Sequence, residues 1–324
     1  MKSLDELKSF YDTHLLADLQ VLEGQRKGVV KKVTTIGIAV AVILVLVLFI
    51  MGQAIAQNPM FLLFPLVIGG IIIGGAIKYL SRGYVSDFKQ HVIKAIIHFL
   101  DDGLTYRAQS CIPESTYMSS EIFTRNPDRY KGDDLVEGQI GETKIAFSEL
   151  HSEYKTESRD SKGRRRTHWH TIFKGLFFIG DFNKAFHGRT YVLPDQAERL
   201  MGFIGKALQG VFKHSGELVK LEDPEFEKYF VVYGDDQVEA RYILSTSLMR
   251  RIVEFKKDSG RSIFLSFVAS NVNVAISMNK DMFEPRIFRT LLDFSVAQAY
   301  LEDLQFAMGI VDELNLNTRI WTKE

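Results

Sequence analysis

Three histidines are the first candidates for chemistry in this sequence. His168 and His170 lie two positions apart in a segment of strand character, so both imidazoles are expected on one face. His151, on a neighbouring predicted strand, would raise the number of nitrogen ligands to three, as in many catalytic zinc sites. Three consecutive arginines at 164–166, however, place positive charge beside this position. We therefore favour an exposed polar strand and expect no bound metal.

Acidic residues suggest a second, acid–base chemistry. Two adjacent pairs of aspartates, at 133–134 and 235–236, fall at predicted turns, where Asp is favoured because its side chain bonds to the nearby backbone. A catalytic role would require a polar cleft, whose members would be Asp235, Asp236, Glu239 and Arg241. The single cysteine, Cys111, lies near no predicted helix start that would lower its pKa. We favour turns at both aspartate pairs and an inert thiol.

A basic loop is the clearest candidate for binding. Between two predicted strands, residues 159–166 read Arg-Asp-Ser-Lys-Gly-Arg-Arg-Arg. The side chains of Lys162, Arg164, Arg165 and Arg166 suit anionic lipid head groups or an acidic partner, and each contributes about 1 kcal/mol near a charged membrane. The alternative is a solvated loop that keeps the surface polar. No aromatic residues alternate with these side chains to stack on nucleotides, so we expect no nucleic-acid partner.

Nucleotide-binding and catalytic motifs are missing from the sequence. It contains no G-x-x-x-x-G-K-[ST], no strand-linked G-x-G-x-x-G, no H-E-x-x-H and no G-x-S-x-G. One cysteine cannot supply an internal disulfide or the thiolates of a structural zinc site. We therefore expect no cofactor and favour binding over catalysis.

Two apolar segments near the N-terminus predict a membrane anchor. The overall composition is that of an ordinary folded protein, with 46% hydrophobic residues and 40 basic against 40 acidic side chains. Residues 33–51 and 60–77 nevertheless contain no charge, and the second segment extends to residue 80. At about 1.5 Å per residue, each is long enough for a hydrocarbon core of about 30 Å. We predict a transmembrane helical hairpin over 33–80, which acts as an anchor because it lacks the charged residues of a transport pathway.

The charges beside the two spans predict their orientation. Arg26, Lys27, Lys31 and Lys32 precede the first span, and Lys78, Arg82 and Lys89 follow the second. The connecting segment 52–59 has no Lys or Arg. By the positive-inside rule, both ends of the chain are expected in the cytoplasm and the short loop on the other side.

Small residues recur at helical spacing inside the spans. Gly37 and Ala41 lie four positions apart in the first span, and Gly70 and Gly74 do so in the second. Such notches allow close approach of two helices. We favour packing of the hairpin against itself, and the alternative is a homo-oligomer formed through the same notches.

Helices are expected to continue from both spans on the cytoplasmic side. Residues 1–32 carry an apolar stripe from Leu4 to Leu22, and residues 81–103 carry a similar stripe from Val85 to Phe99. We predict that the two pack as a helical stalk. The alternative, a helix lying on the lipid surface, typically has a polar face rich in Lys and Arg, whereas the first helix mixes acids with few bases.

The remaining sequence predicts an α+β fold with mostly antiparallel strands. We place strands at 135–140, 143–154, 167–173, 175–182, 189–192, 229–233 and 237–244, a hairpin over 263–276, and helices at 195–212, 246–257 and 285–314. One large domain would fit this length, but we slightly favour two lobes, 104–212 and 213–324.

Three stretches resemble a known family. They read GLFFIGDFNKAFHGRTYVLP from residue 175, LEDPEFEKYFVVYGDDQVEARYIL from 221 and IVDELNLNTRIWTK from 310. Together with the preceding hairpin, they resemble a bacterial membrane-protein family known as domain of unknown function 3137, over nearly the whole chain. The resemblance implies a bacterial origin, a membrane anchor and a cytoplasmic domain, and it brings no activity and no catalytic residue. Together with the spans, it leads us to expect a protein of the bacterial inner membrane.

The sequence as a whole favours a membrane-anchored cytoplasmic binding or scaffold protein. Its expected partners are the lipid bilayer and a protein of unknown identity. The alternatives are a membrane-associated enzyme of unfamiliar chemistry that uses the 235–241 cleft, and a sensor of anionic lipid that uses the 159–166 loop.

Overall fold

The computed structural model describes residues 3–159, 163–182, 185–195, 216–314 and 316. The chain divides into two compact units. The first, the helical unit, comprises Met1–Phe99 and Phe283–Leu301, and the second, the sheet unit, comprises Leu100–Met282 and Glu302–Glu324.

Two long helices form most of the helical unit. The first consists of α1 (Leu4–Phe10), a π-helical turn (Tyr11–Leu15) and α2 (Leu16–Ile50). After α3 (Gly52–Gln57) and a 3₁₀ turn (Pro59–Leu62), the second consists of α4 (Leu63–Phe88), a π-helical turn (Lys89–Ile93) and α5 (Lys94–Leu100). Both helices are long and apolar enough to cross a membrane. This agrees with the two predicted spans.

The two long helices also pack together outside the apolar spans. Ser3 and Glu6 form a capping box at the first helix start. The rings of Phe10 and Phe99 stack with centroids 4.3 Å apart, and Gln25 donates a hydrogen bond to Asp87 at 3.0 Å. Of the predicted stripes, Leu4 is exposed and the following side chains are buried: Leu7, Tyr11, Leu15, Leu19, Leu22, Phe88, Val92 and Ile96. The pairing matches the predicted stalk.

The spans approach each other at a glycine other than those predicted. Gly69 is buried, and a Cβ there would lie 3.1 Å from Leu44 and 3.2 Å from Val40. Gly70 and Gly74 are exposed and Gly37 is half-buried, with nothing within 4 Å of a Cβ at any of them. Ala41 is also exposed. The second helix is rotated so that Gly69, and not Gly70 or Gly74, faces the first helix. The predicted notches therefore make no close contact between the two spans.

A segment close to the C-terminal helix also belongs to the helical unit. Residues 283–293 form no regular element, and α10 begins only at Phe294 and runs to Glu313. The helix predicted from residue 285 is therefore wrong over its first nine residues. This segment instead makes hydrogen bonds to the long helices, since Arg26 donates to the carbonyl of Ile287 at 2.8 Å. Lys89, with a side chain only 5% exposed, pairs with Glu284 at 2.8 Å.

Within the described residues, the sheet unit contains a nine-stranded sheet in the order β1-β2-β3-β4-β9-β8-β5-β7-β6. Every pairing among these strands is antiparallel, which confirms the predicted α+β class. The strands are β1 (Leu104–Arg107), β2 (Arg129–Ile140), β3 (Thr143–Arg159), β4 (Arg165–Asp181), β5 (Thr190–Pro194), β6 (Glu217–Val219), β7 (Phe230–Gly234), β8 (Ile263–Val268) and β9 (Asn271–Ser277). The described helices of this part are α6 (Glu114–Ser119), α7 (Pro224–Glu227), α8 (Gln237–Ile243) and α9 (Thr246–Ser259).

Several local predictions differ from the observed elements. Residues 237–243 form helix α8 and not a strand, because the Asp236 side chain caps the N–H groups of Val238 and Glu239. The strands predicted at 167–173 and 175–182 are one strand, β4, which passes through Gly175 at a φ of 148°. The helix predicted at 195–212 lies, apart from its first residue, outside the described residues.

The predicted boundary between two lobes does not divide the sheet. Strand β5 precedes residue 212, yet it pairs with β7 and β8, which follow it. Strand β4 likewise pairs with β9. A core of buried aromatic and aliphatic side chains, which includes Tyr117, Phe123, Phe173, Phe177 and Phe264, also joins residues from both sides of this boundary.

Candidate functional site

The four residues of the predicted polar cleft have separate partners. Asp235 accepts a hydrogen bond from Nε of Arg189 at 2.6 Å, and Asp236 caps α8. The capping N–H groups lower the pKa of Asp236. The Glu239 carboxylate accepts the backbone N–H of Gly188 at 2.7 Å, and Arg241 donates to Gln237 at 3.0 Å. These side chains stabilise the loop before β5 and helix α8, so their role in the fold is structural.

An ionic cluster that the sequence did not reveal adjoins Asp235. Arg189 Nη1 lies 3.0 Å from the Glu121 carboxylate, and Tyr191 donates to the same carboxylate at 2.7 Å. Burial, followed by the Glu121 bond, raises the pKa of Tyr191. Arg189 and Tyr191 lie two positions apart, so the sequence can place them on one strand face. The residues around Glu121, however, give no sign that its carboxylate contacts them.

The three histidines do not come together. In the strand register His151 is opposite Lys174, whereas His170 is opposite Tyr154 and His168 is opposite Thr156. His170 stacks on Tyr154 with centroids 4.9 Å apart and lies 2.9 Å from the Thr156 hydroxyl. Within the described residues, no group of three His, Cys, Asp or Glu side chains is placed to hold a metal ion.

The thiol of Cys111 is half-buried between the sheet and the core. Burial, followed by the charge of Asp133, raises its pKa. A raised pKa keeps the thiol protonated at neutral pH, so it is a poor nucleophile.

The predicted basic loop lies at the end of an exposed two-stranded ribbon. Strands β3 and β4 continue their pairing out to Arg159 and Arg165. Residues 155–159 and 163–169 are all exposed, so the ribbon buries neither face. Lys162 lies outside the described residues, and Arg164, Arg165 and Arg166 are exposed. We call residues 155–159 and 164–169 the basic ribbon.

Arginine side chains cover the aromatic rings at the base of the ribbon. The guanidinium of Arg129 lies 3.9 Å from the ring centroid of Trp169, and that of Arg125 lies 3.5 Å from the Tyr154 ring. Arg129 also pairs with Glu153 at 3.0 Å. Trp169 nevertheless remains 40% exposed.

A polar cavity of about 300 Å³ lies where the ribbon joins the sheet. Strands β2, β3 and β4 and the segment after β9 provide its walls. The charged and titratable lining residues are Lys131, Asp133, Glu149, His151, Lys174, Lys280 and Asp281. We call this the Glu149 cavity. The sequence does not indicate this cavity, because its residues come from four separate segments.

Glu149 is a cavity residue with an unusual pKa. Its Oε1 accepts the backbone N–H of Met282 at 2.5 Å. Burial raises the Glu149 pKa to about 8, and the charges of Asp134, Asp133 and Asp281 add to the increase despite the opposing hydrogen bond from Met282. At neutral pH the side chain is therefore largely a neutral carboxylic acid, which can both donate and accept.

Comparison with solved structures adds no functional argument. The crystal structure of the mycobacterial trehalose monomycolate transport factor A, TtfA, is similar at 12% sequence identity and a TM-score of 0.33. The similarity covers 67% of this chain and 90% of that one. At this TM-score it supports no inference about the present chain. No curated protein matches the sequence.

A family model agrees with the resemblance seen in the sequence. The model described as "Protein of unknown function (DUF3137)" matches residues 171–316. This range includes the Asp-Phe-Asn-Lys stretch at 181–184 and the Tyr-Gly-Asp-Asp stretch at 233–236. The resemblance was expected to cover nearly the whole chain, whereas the match to the family model begins inside β4, at residue 171. The chain thus has two helices long and apolar enough to cross a membrane, and its residues 171–316 match the DUF3137 model.

Proposed function

We propose that this chain is a bacterial inner-membrane protein, with both ends in the cytoplasm, that acts as a binding or scaffold protein. The binding role is inferred from the basic ribbon. A two-stranded ribbon without a covered face gains little from burial and is only marginally stable in water. Contact with a partner would supply the missing burial.

The charge of the ribbon indicates the kind of partner. Its described residues carry five basic side chains, Lys155, Arg159, Arg164, Arg165 and Arg166, against the single carboxylate of Glu157. The chain as a whole is neutral, with 40 residues of each sign, so this excess is local. An acidic protein surface is the partner that this charge favours.

The proposed orientation rests on the charges beside the spans. Lys27, Lys31 and Lys32 precede the first span and are exposed, whereas segment 52–59 has no Lys or Arg. A reporter that is active only in the cytoplasm, fused after Glu324, should be active. A periplasmic reporter at the same position should be silent, and activity there would contradict the orientation.

Catalysis at the 235–241 segment is the alternative, and it is less favoured. Asp235 and Glu239 would have to leave Arg189 and the N–H of Gly188 to act on a substrate. Their present bonds support the loop before β5, so the arrangement favours a structural role over an enzyme.

Contact with anionic lipid is a second candidate role for the ribbon. The exposed ring of Trp169 favours it, because tryptophan is enriched at membrane–water interfaces. The bilayer that holds the spans would then be the surface that the ribbon senses.

Cross-linking in native membranes tests the protein-partner role. A photoactivatable residue in place of Thr167 should yield one product of defined mass. The variant with Arg164→Gln, Arg165→Gln and Arg166→Gln should lose this product. A matched control that removes three exposed charges elsewhere, Lys220→Gln, Lys228→Gln and Arg250→Gln, should keep it. Equal yields from both triple variants would contradict the proposal.

Fluorescence quenching tests the lipid role with the full chain in nanodiscs. The protein has two tryptophans, so Trp321→Phe leaves Trp169 as the only reporter. Brominated anionic lipid should quench Trp169 more than brominated neutral lipid if the ribbon touches the bilayer. Equal and weak quenching by both lipids would exclude this role.

A further inference from the structure

The Glu149 cavity contains a row of basic side chains that lies across three strands. Lys131 of β2 is opposite His151 of β3, and His151 is opposite Lys174 of β4. Side chains at opposed positions on adjacent strands stand on the same face, with Cβ atoms about 5 Å apart. The ammonium groups of Lys131 and Lys174 therefore stand on one face on either side of His151, where a bound anion would balance their charge.

The three lysines of the cavity differ in how far they are already paired. Lys280 is held by Asp303 at 2.7 Å, and Lys174 faces Asp281 at 3.4 Å. Lys131 is exposed, and in the described part of the chain it has no hydrogen bond or ion pair. Its ammonium group is therefore available to a ligand.

The neutral carboxyl of Glu149 keeps the cavity from a net negative charge. Its second oxygen, Oε2, has no hydrogen-bond partner among the described residues, so its O–H group can be donated to a ligand. Lys280 is balanced by Asp303, so the lining then sets Lys131 and Lys174 against Asp133 and Asp281. Ionisation of Glu149 would make the lining negative and would repel an anion. Asp134, from the same strand as Asp133, adds to the negative field at Glu149.

We propose that the Glu149 cavity binds a small oxyanion, with the ammonium group of Lys131 and the O–H of Glu149 as its donors. His151 and Lys174 complete the positive edge of the site. Carboxylate and tetrahedral oxyanions share this chemistry, and acetate and sulfate represent the two shapes. This proposal is independent of the role of the ribbon.

The test is thermal unfolding of the full chain in detergent, with sodium acetate or sodium sulfate at constant ionic strength. Both anions keep their charge between pH 7 and pH 9. At pH 7 the unfolding midpoint should rise with anion concentration. At pH 9, where about one Glu149 in ten is protonated, the apparent affinity should be about tenfold weaker.

Two variants identify the donors. Glu149→Gln keeps an N–H donor and cannot ionise, so it should bind the anion equally at both pH values. Lys131→Gln should lose the anion-dependent shift, whereas Lys220→Gln, an exposed lysine outside the cavity, should keep it. The midpoint of each variant without anion verifies that it folds.

Three results would overturn the proposal. The first is the absence of any anion-dependent shift at pH 7, and the second is an equal shift in Lys131→Gln and in the unmodified protein. The third is stabilisation by methylammonium that strengthens at pH 9 and disappears in Glu149→Gln. That result would identify a cation site built on the carboxylates.

Discussion

Arg26 donates two hydrogen bonds to the carboxylate of Glu23, from Nη2 at 2.7 Å and from Nε at 2.8 Å. The two side chains are only 12% and 5% exposed. Glu23 also accepts the backbone N–H of Leu291 at 3.1 Å. The bonds from Arg26 lower the Glu23 pKa to about 2, and the bond from Leu291 contributes to the same shift against the effect of burial. This pair therefore joins the first long helix to the segment that returns at 283–301.

Removal of Arg26 should destabilise the helical unit strongly. Arg26→Met leaves a buried carboxylate without its counter-charge, which costs about 3–5 kcal/mol in comparable buried pairs. Lys27→Met is the matched control, because Lys27 lies 3.9 Å from the same carboxylate but is 71% exposed, and exposed pairs contribute about 0–1 kcal/mol. Chemical unfolding in detergent measures both. Equal losses in the two variants would contradict the role of burial.

Glu149 should make the stability of the sheet unit fall as pH rises. Its folded pKa is about 8 against an ordinary value of 4.5, so between these values the folded state retains a proton that the unfolded state has released. The free energy of unfolding should therefore decrease across this window, by at most about 1.4 kcal/mol per pH unit. Denaturant unfolding at pH 5, 6.5 and 8 should show this slope in the unmodified protein and lose it in Glu149→Gln. Parallel profiles for the two proteins would contradict it.

Gly175 should tolerate no side chain. Its φ is 148°, and a Cβ would overlap the carbonyl oxygen of Ile276 on the paired strand β9. Gly175→Ala should therefore weaken the β4–β9 pairing, with faster amide hydrogen exchange along both strands. As a control, Gly28→Ala lies in a helix with nothing within 4 Å of the added Cβ, and it should stabilise that helix by up to about 1 kcal/mol. Unchanged exchange in Gly175→Ala would show that the strands shift without cost.

Gly69 and Gly70 should respond differently to a large side chain. Gly69→Leu would push against Val40 and Leu44 and should separate the two spans, whereas Gly70→Leu adds a side chain to an exposed face. Disulfide formation between cysteines placed at Val33 and Ile77 would report the distance between the spans. It should decrease in Gly69→Leu and persist in Gly70→Leu. If Gly70→Leu alone changed the oligomeric state, it would support the alternative of a homo-oligomer.

The elements that depend on local pattern could be predicted from the amino-acid sequence. Charge-free runs of sufficient length predict the two apolar helices, because burying a charge in hydrocarbon is costly. Apolar residues spaced by three and four positions predict the buried stripes of the paired helices. Alternation around residues 263–276 predicts the hairpin of β8 and β9, which the structure contains.

Contacts between residues far apart in the chain become visible only in the folded molecule. Glu149 owes its raised pKa to burial at the meeting point of separate segments and to the charges of Asp134, Asp133 and Asp281. Glu23 owes its contact with Leu291 to a segment more than 260 positions away. The strand order places β5 between β7 and β8, so the sheet cannot be divided at residue 212. Such contacts arise from packing in three dimensions, and no periodicity in the sequence encodes them. At residues 237–243, where alternation suggested a strand, the cap provided by Asp236 favoured a helix.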